Sequence, residues 1–279
     1  MMRLAVIAIS LFSGIGVLWI VNTIWGRHRV GKAVKTALGE IGHGPDAVYN
    51  ESMLADLPEI VQKYFRLVLH NGQKYIRYAR VHQKSQYKMK QQGAWIDVTA
   101  GSYYTTEHPA LIWDAVLHDR RYRWRRAHLI YLRGTGEGMT KLYGGLTLSE
   151  YSGSEADITL LFRFLSEALW FPTALLPGRH VEWRSLGADS AEAIITDDDL
   201  QARAIFYFNP AGEVVKITTN DKFRDFRGGF HKEEFVMHCR NYKAINNILV
   251  PTELEFVWEL DNGDFPYAKI NVMDIEYRF

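Results

Sequence analysis

The chain has 279 residues, is 47% hydrophobic and 13% aromatic, and carries a formal net charge of +1 at pH 7. That is ample material for a large core, and it supplies no overall field to attract nucleic acid, so no nucleic-acid partner is predicted. The single cysteine, Cys239, excludes an intrachain disulfide and any multi-cysteine zinc or iron–sulfur site.

Leu4 to Trp25 contains no charged residue. As a helix this stretch extends about 33 Å at roughly 1.5 Å per residue, enough to cross a bilayer. Trp19 and Trp25 suit interfacial positions, and Arg27, Arg29, Lys32 and Lys35 follow at once. A cleaved signal peptide is the rival reading, but the apolar run is long for one and no small-x-small site ends it. Residues 1–25 are therefore predicted as an uncleaved single-pass anchor, with the lipid bilayer as partner of residues 4–25. The basic residues after the span favour a cytoplasmic domain slightly. The short N-terminal tail also suits a signal anchor that exports its domain, so both orientations stay open.

Residues 26–52 are basic, then rich in glycine with Pro45, and read as a stalk. That leaves 53–279 as a single β-rich domain. Asp56 and Pro58 open a short helix over 56–71, which Asn71-Gly72 ends. From Tyr78 the hydrophobic period drops to two. Strands are predicted over 78–90, 95–106, 110–117, 122–133 and 139–151, then over 180–187, 190–197, 201–208, 213–223, 233–244, 250–260 and 266–279. Short turns such as Asn209-Pro210-Ala211-Gly212 and Asp261-Asn262-Gly263 make the neighbours antiparallel.

Between the two runs of strands lies the one long helical pattern, Ser154 to Gly178. Ser154 and Asp157 fit a capping box, and Pro172 breaks the pattern. Ile158, Leu161, Phe162, Leu165 and Leu169 define one face. Leu160, Phe164 and Phe171 widen it beyond the roughly 100° stripe of a surface helix. Thr159, Arg163, Ser166, Glu167 and Trp170 are left on a narrower polar side. So broad an apolar arc needs contact on more than one side. Either the helix is sunk in a solid core, the plainer reading, or it partly lines a hydrophobic cavity. About twelve strands are too many for a flat sheet. The predicted fold is α+β and β-dominated, a large curved antiparallel sheet wrapped on this helix and the shorter one, with two β lobes as the alternative.

Several blocks carry a family resemblance: Leu57-Pro58 with Val61, Tyr64 and Arg66; Trp113-Asp114-Ala115; and above all the run from Arg163 to Pro177, RFLSEALWFPTALLP. Pro251, Glu255, Trp258, Gly263, Phe265, Pro266 and Tyr267 extend it towards the end. From Leu57 onward the chain resembles an uncharacterised bacterial family known only as a domain of unknown function. It departs from that family at Ile96-Asp97, where a Pro-Phe pair is usual, and lacks the arginine-glycine after the terminal aromatic pair. The resemblance implies domain extent and no mechanism. Its β-rich pattern is similar to the half-barrel folds of lipoprotein carriers, an analogy of fold alone.

The candidate chemistry is sparse. Glu167 beside Trp170 has the makings of a raised-pKa acid, but Arg163 four residues earlier can pair with it. Five arginines between Arg120 and Arg126, interleaved with Tyr122 and Trp124, suit a phosphate or lipid headgroup, or a solvated strand face with carboxylate partners. His108, His118 and His128 would bind metal only if separate strands brought them together. Gly134, Gly136 and Gly138 read as a flexible turn, Asp197-Asp198-Asp199 as a solvated one, and Cys239 as a core residue. The leading expectation is a membrane-anchored, non-enzymatic domain binding a lipid or acyl chain between sheet and helix, with no cofactor and no metal. Its ligand-binding residues would be Trp113, Tyr122, Trp124, Phe164, Leu165, Glu167 and Trp170. The alternatives are an enzyme using Asp114 and Glu167, and a scaffold protein with a solid core.

Overall fold

The computed structural model describes residues 28–42, 47–119, 125–142, 146–226 and 229–279. Three α-helices are present among them: α1 (residues 28–39), α2 (Glu59–Val68) and α3 (Ser154–Glu167). Before α3 come β1 (Tyr78–Tyr87), β2 (Ile96–Thr105), β3 (Ala110–His118), β4 (Arg125–Leu132), β5 (Thr135–Leu142) and β6 (Leu146–Ser152). After it come β7 (Val181–Ser185), β8 (Ser190–Asp197), β9 (Leu200–Phe208), β10 (Val214–Thr219), β11 (Phe223–Phe226), β12 (Gly229–Lys232), β13 (Glu234–Ile245), β14 (Ile248–Glu259) and β15 (Phe265–Arg278). The predicted strand 139–151 thus divides into β5 and β6, and 213–223 into β10 and β11. β12 lies where no strand is predicted.

Thirteen strands make one sheet in the order β6-β5-β4-β3-β2-β1-β15-β14-β13-β10-β9-β8-β7, and β11 with β12 forms a two-stranded ribbon. The last strand returns beside the first, from Tyr78 opposite Arg278 to Tyr87 opposite Ala268. This pairing joins both runs of strands in one sheet and replaces the two-lobe alternative.

The sheet is strongly curved. β4 and β8 are nine strand spacings apart, more than about 40 Å if flat. Yet the Tyr131 hydroxyl on β4 donates to the Asp197 carboxylate at the end of β8 at 2.7 Å. Asp197 is therefore buried and hydrogen-bonded, contrary to the solvated turn expected of it. Inside the curve lies α3, in contact with β3, β4, β5 and β6 on one side and β8 and β9 on the other. Val61, Tyr64, Phe65 and Val68 of α2 join the same core.

Two predicted helix ends are corrected. Gly153, not Ser154, is the N-cap of α3, and no side chain caps it. Asp157 instead accepts the backbone N–H of Gly136 on β5 at 2.6 Å, so the sheet takes the group the capping box would have used. The α-helical turns stop at Glu167, and two short 3-10 turns, Ala168–Trp170 and Pro172–Leu175, complete the segment. At α2, Pro58 rather than Asp56 is the N-cap, and the helix ends at Val68, before Asn71-Gly72.

The expected polar side of α3 is buried as fully as its apolar one: Thr159, Arg163, Ser166, Glu167 and Trp170 are all shielded from solvent. Each fully buried Leu or Phe on such a helix contributes about 1.5–3 kcal/mol.

No helix among the described residues is long and apolar enough to cross a membrane. The predicted span, residues 4–25, lies outside them. The predicted stalk contains α1, whose Val30, Ala33 and Ala37 pack against Ala110, Ile112 and Ile130 on the outer face of the sheet. Spacings of three and four residues gave α1 an apolar stripe that its basic composition obscured.

Candidate functional site

A cavity of about 330 Å³ lies between the sheet and one flank of α3. Thr159, Leu160 and Arg163 supply its helical wall. The opposite wall comes from alternate inward positions of the first strands, among them Tyr87, Val98, Trp113, Leu117 and Leu129. Met139, Tyr151 and Phe230 extend the apolar lining, and Phe256, Trp258 and Tyr267 add an aromatic wall from β14 and β15. A wider open groove of about 980 Å³ adjoins it, sharing Met89, Arg224, Trp258 and Tyr267.

Lys222 is the least expected residue of this wall. It follows β10 in a turn fixed to α3, because the Thr159 hydroxyl accepts the backbone N–H of Phe223 at 3.0 Å. The side chain is buried, and its ammonium nitrogen stands 3.6 Å from the Phe235 ring centre and 5.1–5.3 Å from those of Phe256, Trp258 and Tyr267. It donates to the Tyr267 hydroxyl and has no carboxylate partner among the described residues. Burial, then the charge of Arg163, pushes its pKa well below the ordinary lysine value, with Glu167 opposing. The faces of the rings attract the ammonium and favour the same charged form as Glu167 does.

Behind the cavity runs a buried polar network. Arg163 donates through Nε to Glu167 at 2.8 Å, and the Tyr104 hydroxyl donates to the other carboxylate oxygen at 2.6 Å. The expected Arg163–Glu167 pair is present, but in the core rather than on a surface. Arg163 also lies over the Trp113 ring, 5.1 Å from its centre. Two donors here, Arg163 Nη2 and Trp113 Nε1, are buried with no hydrogen-bond partner in the protein.

Of the predicted ligand-binding residues, Trp113 lines the cavity. Phe164, Leu165 and Trp170 belong to the packed core on other sides of α3, where Trp170 donates to the Pro251 carbonyl at 3.0 Å. Glu167 lies beneath the wall, and Tyr122 and Trp124 lie outside the described residues. Asp114 does not meet Glu167. Trp113 and Ala115 face α3, so Asp114 between them points to the outer face, where Arg126 holds it. Arg125 likewise pairs with Asp119 at 3.3 Å. His118 turns to the Thr99 hydroxyl, and His128 sits opposite Asp114 across the β3–β4 pair. Among the described residues no group of three or more His, Cys, Asp or Glu could hold a metal ion.

The glycines at 134–138 are structural. Arg133 and Gly134 both have positive φ and make the tight β4–β5 turn. A Cβ on Gly136 would stand 2.6 Å from the Ala156 carbonyl oxygen, so the missing side chain lets α3 start against β5.

Residues 47–270 match the model of a family described as a family of unknown function, DUF6544. The chain belongs to this family. No curated protein matches it in sequence. Solved structures similar to it include a domain from Vibrio parahaemolyticus described as an outer membrane lipoprotein-sorting protein. That pair shares 11% identity over 72% of this chain and 85% of the other, with a TM-score of 0.41. A LolA superfamily protein from Nitrosomonas europaea shares 11% identity over 79% and 92%, with a TM-score of 0.40. A DUF1329 family protein from Desulfovibrio piger shares 9% over 72% and 86%, with a TM-score of 0.36. Scores this low do not bear on function.

Proposed function

We propose that this protein is a non-enzymatic binder that shelters an apolar ligand, a lipid or acyl chain, in the cavity beside α3, while residues 4–25 tether it to a bilayer. One observation carries the reading: a cavity of about 330 Å³ with predominantly aliphatic and aromatic walls is left beside a helix whose residues 159–167 are all buried. Binding sites for small apolar molecules are concave, of roughly 300–1,000 Å³, and hydrophobic with a few placed polar groups. The predicted enzymatic pair, Asp114 and Glu167, lies on opposite faces of the sheet, so acid–base work between them has no geometric support.

The test is native mass spectrometry of the full chain released from membranes, with Leu129→Trp as a variant that fills the cavity from its partly exposed wall. Lipid adducts on the parent protein that vanish in the folded variant are expected. Absence of any adduct on the parent, together with no uptake of added acyl-chain probe, would overturn the proposal.

A further inference from the structure

Resting on that reading of the cavity, we infer that the ligand is a single-chain acidic lipid whose carboxylate is held by Arg163, Lys222 and Trp113. Four cationic side chains line the cavity, Arg125, Arg163, Lys222 and Arg224, and no carboxylate does among the described residues. The three arginines have acidic partners: Asp119 at 3.3 Å, Glu167 at 2.8 Å and Glu233 at 3.9 Å. Lys222 has only the Tyr267 hydroxyl and the surrounding rings. Its charge is thus the one in this wall left without a counter-charge in contact among the described residues.

Two hydrogen-bond donors sharpen the match. Arg163 uses Nε on Glu167, while its Nη2 has no acceptor, and Trp113 Nε1 has none either. Burying such donors unpaired is costly, so an acceptor brought within their reach would be favoured. A carboxylate offers two oxygens with about four lone-pair sites and one negative charge, which answers both donors and the ammonium. The rest of the lining asks for hydrocarbon. The volume lies near the lower end for ligand sites, which suits one chain better than a two-chain phospholipid. A neutral ester would leave the lysine and both donors unsatisfied.

The experiment compares dibromostearic acid with its methyl ester, using bromine quenching of tryptophan fluorescence in the full chain held in amphipol. Trp113 and Trp258 both line the cavity and report occupancy. The acid should bind about tenfold to hundredfold more tightly than the ester. Lys222→Met and Trp113→Phe should each narrow that ratio by weakening the acid more than the ester, with Trp258 as the reporter in the second variant. Circular dichroism checks both variants, and either one that folds decides the assignment. Equal binding of acid and ester by the parent protein would overturn the inference while leaving the apolar shelter standing. Binding of neither would remove both. An acid preference that survives in the folded variants would overturn the role given to these residues.

Discussion

The Tyr104 hydroxyl donates to Glu167 at 2.6 Å in the middle of the core, while Arg163 holds the other oxygen of the same carboxylate at 2.8 Å. Glu167 is wholly buried, so each oxygen depends on its one protein donor. Removing the carboxylate strands a buried guanidinium. Glu167→Ala should destabilise the domain by about 3–5 kcal/mol, the usual cost of breaking a buried pair from one side. Tyr104→Phe, which leaves the ion pair intact, should cost about 1–3 kcal/mol. Urea unfolding followed by circular dichroism checks the order of the two.

The architecture was legible in the sequence where period and burial agree. Alternation in β3, with Leu111, Trp113, Ala115 and Leu117 facing the core, marked a half-buried strand, and the apolar arc of α3 marked a helix gripped on several sides. The site was legible only in part. Trp113 sits in an inward position of an obvious strand, but Lys222 lies in a turn, where a lysine ordinarily points to water. Nothing local distinguishes it. Its burial follows from the bond that ties Phe223 to Thr159, sixty-four residues away in the chain. Phe164 and Leu165 read as ligand contacts because a helix pattern gives a hydrophobic arc without saying which part of it meets protein. The network of Tyr104, Arg163 and Glu167 was half visible, since the i, i+4 spacing gave the pair and no rule gave the tyrosine.

Alkaline stability follows from the buried phenols. Burial, then the charge of Glu167, raises the Tyr104 pKa well above 10.0, and burial pushes Tyr87 up to about 12. Tyr267 is raised as well, again by burial first. Between the unfolded value near 10.0 and these folded values, the folded state holds protons that the unfolded chain has released. The stability from these groups is therefore fully present below pH 10.0 and declines as pH rises through the folded values. Chemical unfolding at successive pH values should show a midpoint that falls above about pH 10, with a shallower fall in Tyr104→Phe. A midpoint independent of pH up to about 12 would contradict the burial of these rings.

Gly136 and Gly138 predict two different failures. A methyl group at Gly136 meets backbone, the Ala156 carbonyl, which cannot turn aside without moving α3. Gly136→Ala should cost about 1–3 kcal/mol through strain. At Gly138 the clash is with the Tyr151 ring, a cavity-lining side chain that can swing away. Gly138→Ala should therefore change acyl-probe affinity more than it changes the unfolding midpoint. Measuring both quantities for both variants separates the two cases.

Lys222 tests whether the cavity was shaped for a ligand or for stability. Its ammonium is buried without a carboxylate in contact, and its folded pKa lies well below the ordinary 10.5. The unfolded chain then binds a proton that the folded protein resists. The resulting penalty is fully present below the folded pKa and fades as pH rises towards 10.5. Replacing the amine by a thioether of similar length removes the penalty and keeps the contacts with Phe235 and Trp258. Ligand-free Lys222→Met should accordingly be more stable than the parent at pH 7 by roughly 1–3 kcal/mol, with the gain shrinking at higher pH. On the proposed reading, that loss of stability is offset by the lipid carboxylate the lysine binds. Lipid-loaded parent protein should recover the difference, whereas a loaded Lys222→Met variant should gain less from the same lipid. Thermal unfolding of both proteins, with and without added fatty acid, at pH 7 and pH 10 gives the comparison; a variant less stable than the parent at every pH would show that the ring contacts with the ammonium outweigh its burial.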